Sequence, residues 1–145
     1  MNRATLDCVL DEILPARDDA ALPGAGALGI GGYVAEKLGE ARPVIAAGLA
    51  ALDRLAVERG APDFASAPAD ERAALLNEVA AGQPGFLESL VFHGYCGYYQ
   101  DPRVVEALGL EARPPHPKGY TLETGDLGLL DPVRARPRLF RDPGA

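Results

Sequence analysis

Phe86-Leu87-Glu88-Ser89-Leu90-Val91-Phe92-His93-Gly94-Tyr95-Cys96-Gly97-Tyr98-Tyr99, entered through Pro84-Gly85 and left through Gln100-Asp101-Pro102, decides how this chain folds. Apolar and aromatic side chains take up most of the circumference of a helix running from Pro84 to about Tyr99, so the segment predicts a central helix. Left uncovered, such a helix would expose a large apolar patch; it must be buried or met by a partner. Gly94 and Gly97 each destabilise a helix by about 1 kcal/mol relative to alanine, which implies close approach of another element, in this chain or in a partner. Tyr95 falls three and four residues before Tyr98 and Tyr99, on adjacent faces of the helix end. Tyrosine combines contact area with a hydroxyl that is readily satisfied, so the cluster reads as a contact surface rather than a catalytic centre. Internal packing against the proline-rich segment downstream is the alternative.

Upstream, the same helical period recurs. Leu6, Val9, Leu10, Ile13 and Leu14 form an amphipathic stripe, with Thr5 as the expected cap and Pro15 as the stop. Residues 16–26 turn polar and then rich in glycine and proline, which reads as a loop. A short helix is expected over Ile30 to Leu38, and a longer one from Val44 to Arg59, with Pro43 near its start and Gly60 near its end. Ala69 to Ala81 follows, with Leu75, Leu76 and Val79 as its stripe, and Arg103 to Leu108 adds one or two turns. Beyond Leu110 the pattern dissolves, because the prolines of Arg113-Pro114-Pro115-His116-Pro117-Lys118-Gly119-Tyr120 lack the amide donor a helix interior needs. The later apolar residues Leu127, Leu129, Leu130, Val133, Leu139 and Phe140 are aperiodic, as in a strap over a helical body or another subunit. The expected fold is all-α: a compact bundle of about five to six short helices with an extended proline-rich C-terminal strap. The helical domain spans residues 1–109 and the tail 110–145.

The 145 residues suit one domain, and 48% hydrophobic content with a mean hydropathy of -0.02 belongs to a folded chain. The net charge of -7 is uneven: residues 1–112 carry 17 acidic and 8 basic side chains, and residues 113–145 carry 4 and 6. An acidic body repels a phosphate backbone, and the few tail arginines are interspersed with Asp and Pro; nucleic acid is not an expected partner. No apolar run reaches the roughly 18 residues of a membrane span, so no direct membrane insertion is expected. No signal-peptide pattern precedes Thr5, which reads as a cytoplasmic chain.

Candidate chemistry is sparse. Cys8 and Cys96 form no C-x-x-C arrangement, which excludes a disulfide framework or zinc site by spacing; two buried free thiols are expected, with a single disulfide as the alternative. His93 and Cys96 stand three apart on one helix and, with the neighbouring tyrosines, would line the pocket of a small stand-alone enzyme, but an orienting group and an oxyanion site are missing from the pattern. His116 lies among prolines without a second ligand. Asp7, Asp11, Glu12, Asp18 and Asp19 lack EF-hand spacing and read as a solvated acidic face. Gly24-Ala25-Gly26-Ala27-Leu28-Gly29 matches G-x-G-x-x-G but follows an acidic, proline-containing loop, so a flexible turn is expected and nucleotide binding is not.

Thr5-Leu6-Asp7-Cys8-Val9-Leu10-Asp11-Glu12-Ile13-Leu14-Pro15, followed by Asp18-Asp19 and a Pro-Gly loop, resembles the opening of the gluconate 2-dehydrogenase subunit 3 family. Gly97-Tyr98-Tyr99-Gln100-Asp101-Pro102 resembles its second signature, and Leu108-Gly109 with Pro114-Pro115-His116-Pro117-Lys118-Gly119-Tyr120 resembles its C-terminal region. The resemblance implies a small helical accessory subunit of a sugar or alcohol dehydrogenase. In such complexes a glucose-methanol-choline type flavoprotein binds FAD and oxidises the substrate, and a multihaem c-type cytochrome often takes the electrons. The small subunit carries no cofactor and helps the flavoprotein mature, stay soluble and reach the periplasm, frequently by a twin-arginine signal. This chain shows no such segment before Thr5, so a periplasmic location is expected only by export with a partner. Contact residues for that partner are expected at Tyr95, Tyr98, Tyr99, Pro114, Pro115, His116, Pro117 and Tyr120; a homo-oligomeric helical protein is a further alternative.

Overall fold

The first helix, α1 (Arg3–Ile13), starts at Asn2 rather than at Thr5: the Asn2 side chain accepts a hydrogen bond from the Ala4 amide at 3.1 Å. Asparagine is among the best N-caps, and this start leaves Thr5 inside the helix, fully buried. There its hydroxyl donates to Asp53 Oδ1 at 2.7 Å. The computed structural model describes residues 1–17, 21–112 and 124–137, in two units, 1–113 and 114–145. Helix accounts for 65% of it, and the described residues form seven α-helices and no strand, so the all-α class is as expected while the tail adds a helix to the five to six read from the sequence.

Within the first unit, α2 (Ile30–Lys37) follows Gly29, whose φ of 76° suits glycine, and a 3-10 turn at Gly39–Ala41 leads into α3 (Arg42–Glu58). Next come α4 (Ala69–Gly82), α5 (Phe86–Tyr98) and α6 (Pro102–Ala107). Gly85, at φ 84°, turns the chain so sharply that α5 begins two residues after the Pro84 start read from sequence. Asp101 caps α6 by accepting from the Arg103 amide at 3.0 Å.

One core joins these helices. Leu6, Val9 and Leu10 of α1 meet Ile45, Leu49 and Leu52 of α3, Leu75 of α4, Phe86 and Leu90 of α5, and Phe64 from the α3–α4 connection. Each such side chain contributes about 1.5–3 kcal/mol when fully withdrawn from water. The α2–α5 pair is the most extensive helix contact, and the glycines explain it. A Cβ on Gly97 would lie 2.7 Å from both Ile30 Cγ2 and Tyr33 Cδ1, and one on Gly94 would lie 3.1 Å from Leu10 Cδ2. The element that approaches the glycine-notched helix therefore belongs to this chain. Gly48 of α3 makes a third notch, into which the Phe86 ring is set.

The second unit contains a 3-10 turn (Leu127–Leu130) and α7 (Asp131–Arg134), where the sequence suggested only an aperiodic strap. Asp126 accepts from the Gly128 amide at 2.9 Å, and Pro132 fits the first turn of α7, so local capping gives order that apolar periodicity does not register. Leu127, Leu129, Leu130 and Val133 are exposed. Pro114, Pro115, His116, Pro117 and Tyr120 lie outside the described residues.

Candidate functional site

Of the acidic residues of α1, Asp11 and Glu12 are tied to other elements rather than to solvent, and Asp7 pairs within its own helix. Arg3 Nε donates to Asp7 Oδ2 at 2.8 Å, the Gly26 amide donates to Asp11 Oδ1 at 2.7 Å, and Arg72 Nε donates to Glu12 Oε1 at 2.5 Å. Asp18 and Asp19 are outside the described residues. The glycine loop belongs to the same arrangement: a side chain on Gly24 or Gly26 would run into the Asp11 carboxylate, and Ala25, fully buried, donates its amide to Leu14 O at 3.1 Å. Residues 24–29 thus form a turn docked over α1, with the Gly26 amide taken by the Asp11 carboxylate.

Both cysteines are free, and Cys96 is exposed instead of buried because it faces away from the α2 contact. Burial pushes the Cys8 thiol up, against the opposing pull of the Arg72 guanidinium, so Cys8 is a packed thiol. His93 is half-buried, its ring edge-on to Phe92 at 5.1 Å, and its side chain has no hydrogen bond to Cys96. No group of three or more His, Cys, Asp or Glu side chains suited to a metal ion occurs among the described residues.

What the structure assembles is a surface. Phe86, Leu90, Gly94, Gly97 and Tyr98 point inward from α5, and the opposite side presents Phe92, Tyr95 and Tyr99 at 65%, 44% and 48% exposure. The helix is therefore central along one face only. Tyr95 and Tyr99 stand one turn apart with ring centroids at 5.6 Å, and Tyr99 meets Tyr98 edge-on at 5.2 Å. Tyr98 is withdrawn from this surface: it is 3% exposed, and its hydroxyl donates to Pro23 O at 2.8 Å. It shares the face of Leu90 and Gly94, which packs inward, and desolvation raises its phenol above the ordinary tyrosine value. Replacing Tyr98 with Phe removes this link to the loop before α2 and is expected to destabilise the protein by about 1 kcal/mol in urea titration; no change would show that water replaces the bond.

Phe92, not among the residues the sequence singled out, dominates the outer face. Next to it α4 and α5 form a shallow groove of about 510 Å³, lined by Ala80, Leu87, Glu88, Val91 and Phe92. No helix among the described residues is long and apolar enough to cross a membrane. The sequence profile of one protein family, described as Gluconate 2-dehydrogenase subunit 3, matches residues 1–111. No curated protein and no solved structure matches the chain.

Proposed function

We propose that this chain, which belongs to the gluconate 2-dehydrogenase subunit 3 family, is a non-catalytic accessory subunit that binds and stabilises or matures a FAD-dependent sugar or alcohol dehydrogenase. The observation that carries the reading is the outer face of α5, where three large aromatic side chains stand exposed on a helix whose other face is locked into the core. A monomeric surface gains nothing from leaving Phe92, Tyr95 and Tyr99 in water, whereas interfaces concentrate such residues at their centres. The partner is a glucose-methanol-choline type flavoprotein that holds the FAD, and a c-type cytochrome is the electron acceptor of the assembled complex. In this reading the small subunit acts by covering apolar surface on the flavoprotein that would otherwise drive aggregation during maturation.

Co-expression with a glucose-methanol-choline type flavoprotein from the same genome, followed by size-exclusion chromatography, tests the proposal. This chain is expected to co-elute with flavin absorbance. The double substitution Tyr95→Ala, Tyr99→Ala is expected to weaken association at least about tenfold, since central aromatic anchors each contribute on the order of 1–2 kcal/mol or more. Separate elution of the unmodified proteins at both low and high salt would overturn it.

A further inference from the structure

We infer that the groove between α4 and α5 receives an apolar helical segment of the partner that carries lysine or arginine beside its apolar face. The inference deepens the proposed function and rests on it for the partner's identity, but the chemistry is argued from the groove itself. Leu87 and Val91 are one turn apart on α5 and form a wall, Phe92 extends it outward, and Ala80 of α4 keeps the opposite side low. A low alanine side lets a helix backbone come close while its own large side chains fill the space between, as in helix-in-groove recognition. Irregular chain would bring unsatisfied amide and carbonyl groups onto an apolar surface; a helix satisfies them internally.

Charge selects among helical occupants. Among the described residues, Glu88 is the one charged side chain lining the groove, and it is exposed. Residues 1–113 carry 17 acidic and 9 basic side chains, a net of -8. A second copy seated symmetrically on this face would bring a second Glu88 and a second acidic body to the contact without supplying a lysine or arginine from the groove, because a twofold contact pairs each patch with itself. A cationic side chain at the rim of an apolar segment pairs with Glu88 instead and steers the encounter with an acidic body.

The chain contains no tryptophan, so a tryptophan in an added peptide is observed selectively. Two synthetic helical peptides are compared, sharing one leucine and tryptophan face and differing in lysine or glutamate at its edges. The lysine peptide is expected to give a saturable blue shift, and the glutamate peptide to bind at least about tenfold more weakly. Val91→Asp, or Phe92→Asp if the first variant unfolds by circular dichroism, is expected to abolish the lysine peptide's binding, and Glu88→Lys to invert the preference. Equal binding of both peptides, equal binding to wild type and the folded Asp variant, or no binding of either peptide would overturn the inference. A wild-type dimer in light scattering that the Asp variant loses would overturn it in favour of a second copy. Co-elution with the flavoprotein separates the two readings: retained co-elution of the Asp variant overturns the groove as the docking site and leaves the proposed function standing. Peptide recognition without co-elution of the wild type supports the groove chemistry and overturns the proposed partner.

Discussion

Asp53→Ala is expected to lower the unfolding free energy by about 3 kcal/mol, because buried donors that lose a charged acceptor forfeit the bond and keep the desolvation penalty. The Asp53 carboxylate accepts from Asn2 Nδ2 at 3.1 Å, from Thr5 Oγ1 at 2.7 Å and from the Phe64 amide at 3.2 Å. One side chain of α3 thereby holds the start of α1 and the turn before α4. Thr5 is fully buried, so its hydroxyl depends on this carboxylate for its partner. Asp53→Asn keeps one oxygen for Thr5 and Phe64 but turns an amide donor toward Asn2, and about half the loss is expected. Asp7→Ala is the control, since its pair with Arg3 is partly exposed and such pairs contribute about 0–1 kcal/mol. Urea unfolding of the full chain ranks the three variants. A loss below about 1 kcal/mol for Asp53→Ala would mean that relaxation lets water reach Thr5.

Asp53 also shows where sequence reading stops. The helices of the body follow from apolar spacing and from Pro and Gly punctuation, and α3, α4 and α5 fall within two residues of their expected bounds. Spacing along one helix contains nothing about which polar residue a neighbouring helix will bring, so a carboxylate 48 positions from Thr5 is invisible to it. For the same reason α1's acids read as a solvated face, although their partners Gly26 and Arg72 come from a loop and from α4. The orientation of α5 was more accessible. Gly94 and Gly97 mark the face of closest approach, and Leu90 and Tyr98 share it by the 3.6-residue period. That alone directs Tyr98 inward and Phe92, Tyr95 and Tyr99 outward. Position at one helix end groups Tyr95, Tyr98 and Tyr99 together; the glycine face is what separates Tyr98 from the other two and joins Phe92 to them.

The largest effect is expected at the notch where Phe86 is set against Gly48. Phe86→Ala should destabilise by about 3–5 kcal/mol, the usual loss for deleting a buried aromatic ring. Gly48→Val should be comparably severe by the opposite route, since a Cβ at position 48 already falls among the atoms of the fully buried Phe86 ring. Because each change acts on the same space, the two should not add. In Gly48→Ala with Phe86→Leu the smaller side chain makes room for the methyl group, and alanine is the better helix former by about 1 kcal/mol. The double variant is therefore expected to be more stable than the sum of its single changes predicts, by at least about 1 kcal/mol of coupling in a double-mutant cycle. Additivity within error would show that α3 and α5 shift apart to admit either change independently. Coupling would establish that Gly48 and Phe86 share one packed contact between α3 and α5, the helix from whose other side Phe92, Tyr95 and Tyr99 emerge. A notched α3 is thus part of how the outer face is presented, although none of its residues lies on that face.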